Sequence, residues 1–150
     1  MRIGVISDTH GLLRPEALEA LEGSGHILHA GDIGDPAILG ALGRIAPVDA
    51  IRGNNDAAAW AKHLRDSLMV EIAGVRIHIV HDAKALGGRV PHGTRVVVSG
   101  HSHVPRIVEG DGVLHVNPGS AGPRRFRLPL SVARLTIRDE NVEAELVALG

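Results

Sequence analysis

IGVISDTHG, residues Ile3 to Gly11, and HILHAGDIGDP, residues His26 to Pro36, are built alike: a short apolar run that stops abruptly at polar residues and glycine. Ile3 to Ile6 is continuous rather than alternating, as expected of a strand buried on both faces. Between the two stretches, Arg14 to Leu21 reads as a helix. Pro15 sits at its start, Ala17, Leu18 and Leu21 form one apolar stripe, and Gly23 and Gly25 end it. Pro36 opens a second helix that runs to about Arg44. Val48 to Ile51 is a third short strand, stopped by Gly53-Asn54-Asn55-Asp56. Strand, loop and helix in repetition is the pattern of parallel βαβ units.

The second half of the chain reads differently. Leu68 to Ala73 and Val75 to Val80 flank Gly74 as a hairpin, and Arg95 to Ser99 is a strand. Arg106 to Glu109 pairs with Val113 to Val116 across Gly110-Asp111-Gly112, a second hairpin. Ser131 to Ile137 pairs with Val142 to Val147 across Arg138-Asp139-Glu140-Asn141, a third. Parallel units followed by antiparallel strands predict one domain over residues 1–150, of mixed α/β (α+β) class. Its natural form is a sandwich of two packed sheets with helices outside.

The 150 residues suffice for one real core. The formal net charge of −1 gives no reason to expect a nucleic-acid or membrane surface. No apolar stretch is long enough to span a bilayer, and the N-terminus lacks the parts of a signal peptide, so a cytoplasmic protein is expected. The β-rich C-terminal half could offer an edge for a homo-oligomer. Cysteine is absent, which excludes disulfides and thiolate ligands. With one Phe and one Trp, the core must be aliphatic, and ten His is a high count. Arg124-Arg125-Phe126-Arg127 is the only basic cluster and reads as a solvated loop.

The metal-type side chains do not scatter. They collect where apolar runs end: Asp8 and His10, then Asp32, then Asn54, Asn55 and Asp56, then His81 and Asp82, then His101 and His103. In open α/β sheets, ligands bind beyond the carboxyl ends of the strands. In an extended chain residues i and i+2 point the same way, so Asp8 with His10, and His101 with His103, are each expected to grip an ion from one side. Asp8, His10, Asp32, Asn54, His81, His101 and His103 are too many ligands for one tetrahedral ion. They suit two ions sharing a carboxylate, a device for displacement at phosphorus when the ions lie about 3.5–4 Å apart.

The ordered blocks SDTHG, HAGDIGD, RGNND, VHD, SGHSH and NPGS resemble the calcineurin-like metallophosphoesterases, most closely their small bacterial and archaeal single-domain phosphodiesterase branch. The resemblance runs from Met1 to about Leu135. It implies the two-sheet αββα sandwich of the metallo-dependent phosphatases and a dinuclear site. By matching motif, Asp8, His10, Asp32 and His103 would hold the first ion, with Asp32 bridging. Asn54, His81 and His101 would complete the second. Asn117-Pro118-Gly119-Ser120 matches a block near the site that supplies no ligand. The resemblance implies manganese, while mixed nitrogen and oxygen donors also admit iron, zinc, cobalt or nickel.

The implied reaction is hydrolysis of a small phosphoester by a hydroxide shared between the ions, with Asn54 and His10 donating hydrogen bonds to the developing charge. Two departures from the family pattern stand out. Many larger members carry an acidic His after the motif Asn, where this chain has Asn55. Asp56 is then the remaining proton donor, or else a loop cap. Asp82 replaces a usual Gly, either hydrogen-bonding a ligand imidazole from behind or repelling a dianionic substrate. Lacking an obvious acid, the site should favour phosphodiesters with good leaving groups over phosphomonoesters. The alternative is a non-catalytic scaffold of the same fold that binds proteins. A dinucleotide-binding unit is excluded by the missing glycine fingerprint, and an amidohydrolase barrel by length.

Overall fold

A computed structural model describes residues 1–150. The parallel units form as the sequence predicts: β1 (Arg2–Ile6), α1 (Pro15–Leu21), β2 (His26–His29), α2 (Pro36–Gly43) and β3 (Val48–Ala50). The second half supplies β4 (Ser67–Ile72), β5 (Val75–Val80), β6 (Val96–Val98), β7 (Arg106–Gly110), β8 (Val113–Asn117), β9 (Ser131–Arg138) and β10 (Asn141–Ala148). All three expected hairpins, β4–β5, β7–β8 and β9–β10, are antiparallel pairs. Two 3-10 turns, Ala59–Ala61 and Ala83–Leu86, have no periodic signature in the sequence.

The strands make two sheets of mixed direction. The first has the order β10-β9-β1-β2-β3 and the second β4-β5-β6-β8-β7. Alternate residues of both sheets meet in a dry aliphatic layer that includes Ile3, Val5, Leu28, Ile77, Ile79, Val96, Val98, Val116 and Leu135. The opposite face of the first sheet is covered by both helices, through Ala17, Leu21, Ile38 and Leu42 against Ile6, Ile27 and Val132. Two successive crossovers that step the same way along a sheet put their helices on the same side. The sandwich is therefore the expected one, with an uneven outer layer. Over the second sheet the helical layer shrinks to the turn Ala83–Leu86, which shares cavity walls with His115 and Val113.

This arrangement points the ends of β1, β2, β5 and β6 at one place. β1 and β2 run parallel, as do β5 and β6. The zipper between β1 and β2 continues past the strands: Asp8 N, His10 N and Gly11 N donate to the carbonyls of Gly31, Asp32 and Ile33 at 3.0, 2.8 and 2.8 Å. No helix is long and apolar enough to cross a membrane.

Candidate metal centre

Asp8 lies just past the end of β1 and is fully buried. Its two oxygens are treated differently. Oδ2 accepts from Ser7 Oγ at 2.6 Å and from His101 N at 3.0 Å, which ties the first sheet to the β6 loop. A Cβ at Gly100 would collide with Ser7 Oγ and the Asp8 carboxylate, so only glycine lets these loops approach. Oδ1 has no hydrogen-bond partner although it is buried. It faces His103 Nε2 at 3.3 Å and His10 Nε2 at 3.7 Å.

Asp32 is fixed by the third motif. Its Oδ1 accepts from Asn55 N at 2.9 Å and its Oδ2 from Asn55 Nδ2 at 3.1 Å. The same Oδ2 stands 3.6 Å from His10 Nε2 and 3.2 Å from His81 Nε2, between the two imidazoles. Asn54 approaches the other rim: its Oδ1 lies 3.2 Å from His101 Nδ1. The seven side chains singled out as ligands thus converge from five loops. Two triads, Asp8–His10–His103 and Asp8–Asp32–His81, have ligand atoms close enough to share an ion.

The donor set fits a cation. His81 Nδ1 lies 2.7 Å from the Ala30 carbonyl, so that nitrogen carries the proton and donates it. The Nε2 lone pair is left unpartnered against two carboxylates, at 3.2 Å from Asp32 and 4.0 Å from Asp8. Acceptors facing acceptors in a buried place require a positive charge between them, a proton or a metal ion. Proton affinities agree in direction. The Asp8 carboxylate, with Asp32 behind it, raises the His10 pKa. Burial works against protonation of His81, but Asp32 outweighs it and the pKa is raised. Burial likewise opposes ionisation of Asp32, yet His81 and Asn55 hold its pKa well below the usual carboxylate range. His103 is pushed down by burial.

The way the ligands converge differs from the expected one. The i, i+2 pairs are not extended. Asp8, His10, Asp32, His101 and His103 all have positive φ, between 45° and 70°. Left-handed single residues, not strand alternation, aim these side chains inward. Asp and His tolerate this region better than most residues, but each still costs about 1–2 kcal/mol. Such strain gathers where function over-determines the backbone.

The expected roles of Asp56 and Asp82 need correction, and that of His10 is narrowed. Asp56 is buried, and its carboxylate accepts from the backbone amides of Ile33, Gly34 and Gly53 at 3.0, 3.1 and 2.9 Å. It staples the Asp32 loop to the Asn54 loop and has no free oxygen for proton transfer, so the loop-cap reading replaces the proton donor. Asp82 lies 3.8 Å from His101 Nε2, beyond a hydrogen bond, and its Oδ1 instead accepts from Lys84 N at 3.0 Å to cap the turn Ala83–Leu86. It does not buttress the imidazole. His10 presents a single nitrogen, Nε2, to the cluster, where ligation and hydrogen-bond donation compete for one atom. In Asn54 the two expected functions do not compete, since its Nδ2 makes no internal hydrogen bond while its Oδ1 faces His101.

Other residues of the site escaped the sequence reading. His29 is fully buried and neutral, its pKa pushed down to about 4 by burial. Gly31 N donates to its Nδ1 at 3.1 Å, so the proton sits on Nε2 and is donated to Thr9 Oγ1 at 3.1 Å; Thr9 in turn donates to the Ile33 carbonyl at 2.8 Å. His29 therefore locks the Asp8 loop to the Asp32 loop. Inside an apolar strand, nothing distinguishes it from a core histidine.

Known proteins share this architecture. The calcineurin-like phosphoesterase superfamily domain matches residues 1–140. A probable metallophosphoesterase of Methanothermobacter thermautotrophicus is 37% identical, over 100% of this chain and 94% of its own length. Among solved structures, an archaeal phosphodiesterase superposes with a TM-score of 0.80 at 26% identity, covering 98% of this chain and 100% of that one. Vps29 of Entamoeba histolytica, solved with zinc, superposes with a TM-score of 0.78 at 21% identity over the whole of both chains, a likeness of fold alone.

Proposed function

This chain belongs to the calcineurin-like phosphoesterase superfamily, and from that premise we propose that it is a dinuclear metal-dependent phosphodiesterase acting on small diesters with good leaving groups. The observation that carries the reading is the unpartnered pair Asp8 Oδ1 and His81 Nε2, buried beside Asp32 at the meeting point of five loops. Buried acceptors that a metal ion would satisfy support an intact metal site, and with it hydrolysis, over a scaffold with a degraded one.

Asp8, His10, Asp32 and His103 would hold one ion. Asp32, Asn54, His81 and His101 would hold the other, manganese being the first metal to try. Bound there, two divalent ions would supply Lewis-acid charge to the phosphoryl group and lower the pKa of a nucleophilic water. The chain does the rest. The Nδ2 of Asn54 is free to donate to a phosphoryl oxygen as charge develops. The Nδ1 proton of His81 and the backbone staples of Asp56 fix orientation rather than move protons. Neither Asn55, spent on Asp32, nor Asp56, spent on three amides, is placed to protonate a leaving oxygen. Leaving groups that depart as stable anions are then preferred, as aryl diesters are. A cavity of about 550 Å³ reaches from Asp82, Gly100 and Ser102 down to Val104 and Val108, room beside the centre for the second arm of a diester.

The test is hydrolysis of bis-p-nitrophenyl phosphate against p-nitrophenyl phosphate, with protein stripped of metal and reloaded with manganese. Metal-dependent diester cleavage is expected, faster than monoester cleavage. Asp8→Ala should lower it by about 10³-fold or more, the several kcal/mol a Lewis-acid ion contributes, and Asn54→Ala by about 10²-fold. Absence of both metal uptake and activity would overturn the enzyme reading in favour of the scaffold.

A further inference from the structure

The cavity beside the centre has a floor held on strands. The outer face of the second sheet carries His115 and Asn117, because Leu114 and Val116 on β8 turn into the aliphatic core. On β7 the register sets Arg106 opposite Asn117 and Val108 opposite His115. All four line the cavity, together with Gly100 and Ser102 on either side of His101. Asn117 ties this floor to the ligand loop, since its Nδ2 donates to the Gly100 carbonyl at 3.0 Å and to Ser102 Oγ at 3.1 Å. The facing wall is the turn Ala83–Leu86, which Asp82 caps through Lys84 N. The Asp that departs from the family pattern thus builds a wall of the cavity. Val104 and Val108 line the same space and stay 45% and 39% exposed, an apolar patch that the fold leaves uncovered. Arg106 and Lys84 line it too and are exposed. The arginine–carboxylate pairs of the protein lie elsewhere, at Arg52, Arg95 and Arg134, so neither cation has an internal counter-ion. Two cations against the one carboxylate of Asp82 leave the lining net positive.

We infer that this cavity is the subsite for the second arm of the substrate, and that Arg106 selects phosphodiesters whose second arm has an apolar body and an acidic end. The assignment rests on the phosphodiesterase reading above and names its substrate class. The space, about 550 Å³, is within the roughly 300–1,000 Å³ of small-molecule sites. An arm lying on Val104 and Val108 buries its apolar body, and its acidic end meets Arg106 on the strand side and Lys84 on the turn side. Arg106 is the stronger selector. Its backbone is fixed in β7, and its planar fork donates to two oxygens of a carboxylate or phosphate at once. A neutral arm gains the apolar contact alone.

The experiment compares p-nitrophenyl diesters on the manganese-loaded full chain, with methyl, phenyl or 4-carboxyphenyl as the second arm. The 4-carboxyphenyl ester should have a kcat/KM about tenfold above the phenyl ester. Arg106→Gln should bring that ratio below about twofold through KM, Arg106→Lys should restore part of it, and Lys84→Gln should lower it about threefold. Val108→Trp fills the cavity and should raise KM for both aryl arms about tenfold relative to the methyl ester. Arg138→Gln, at the last residue of β9, should change no ratio. A 4-phosphonophenyl ester run beside them tells a phosphate-bearing arm from a carboxylate-bearing one by which has the lower KM. Independently of turnover, 4-carboxyphenyl phenyl phosphate added to the isotope-labelled, metal-free chain should shift the amide resonances of Arg106 and His115 in wild type and not in Val108→Trp. A ratio of one in wild type, a ratio indifferent to Arg106→Gln, or KM values indifferent to Val108→Trp would each overturn the subsite while leaving the phosphoesterase intact. A wild-type chain that cleaves none of the diesters would overturn the phosphodiesterase reading. The amide shifts would then decide the cavity on their own, and their absence would overturn it.

Discussion

Asp8, Asp32, His81 and His103 are all less than a tenth exposed, whereas His101 keeps 46% of its side chain in solvent and Asn54 is exposed. The two groups face the same centre, one as its buried floor and the other as its exposed rim. The buried floor is set by folding: every one of its loops is tied by backbone hydrogen bonds, and the unpartnered atoms already point inward. The exposed side chains of Asn54 and His101 hydrogen-bond only to each other, although their backbones are tied by His101 N to Asp8 and Gly53 N to Asp56, and they have more side-chain freedom to lose when an ion arrives. On the proposed dinuclear reading, the difference would make two unequal metal sites from similar ligands. The ion at Asp8, His10 and His103 should bind first and tightly. The ion that needs Asn54 and His101 should bind second and exchange.

That contrast can be broken most severely at its buried side. His103→Ala should weaken the tighter manganese site by about 10³-fold, beyond the 10–100-fold typical of losing an outer-shell partner. His101→Ala should leave that site intact and weaken only the second by about tenfold. Two resolved binding steps in a calorimetric titration check this, and equal losses in both variants would erase the distinction between floor and rim.

Asp56→Ala attacks the same floor from behind. It leaves the buried amides of Ile33 and Gly53 without acceptors and should cost about 3 kcal/mol of unfolding free energy in urea. A loss below about 1 kcal/mol would mean that water replaces the staple.

The smallest effect is a pH dependence of the metal-free protein. The folded-state pKa of His29 lies at about 4, below its ordinary value near 6.5, so the unfolded chain binds the extra proton first. Its contribution to stability is complete above that ordinary value and is lost as pH falls toward 4, about 1–2 kcal/mol of it between pH 6.5 and 5. His10 and His81 have raised values and act in the opposite sense, stabilising the protonated, metal-free fold below 6.5. Comparing wild type with His29→Gln isolates the first contribution. The stability gap between them should shrink by that amount from pH 6.5 to 5, and a constant gap would show that His29 does not stay neutral.

The strand ends and their polar clusters are readable in the sequence because apolar runs have to stop, and the residues at which they stop are forced to one end of a sheet. Ligand identity comes from this, without side-chain geometry. The backbone at those ends is not readable. Asp8-Thr9-His10 looks like an extended D-x-H pair in sequence, and only the ladder between Asp8 N, His10 N and the Asp32 loop forces the left-handed residues. Roles that depend on long-range partners are equally hidden. Asp56 sits one residue past Asn55, yet its partners at Ile33 and Gly34 lie in the preceding motif. Ser120 and Gly122 likewise meet Asp8 and Thr9 only because the fold brings together residues far apart in the chain.

The place of β1 in its sheet has a consequence in time. It lies between β2, its near neighbour in the chain, and β9, where Arg2 pairs with Thr136 and Val5 with Ala133. During synthesis β1, β2 and β3 can pair as soon as they emerge, but one edge of β1 stays open until β9 is made. At ordinary elongation rates of about 5–20 residues per second, that wait is on the order of ten seconds. An open aliphatic edge for so long invites pairing with another nascent chain. For much of that interval Asp8 and Asp32 stand without His81, His101 and His103, which come later in the chain but ahead of β9. The full set of candidate ligands thus exists only once His103 has emerged, shortly before the strand that seals the sheet.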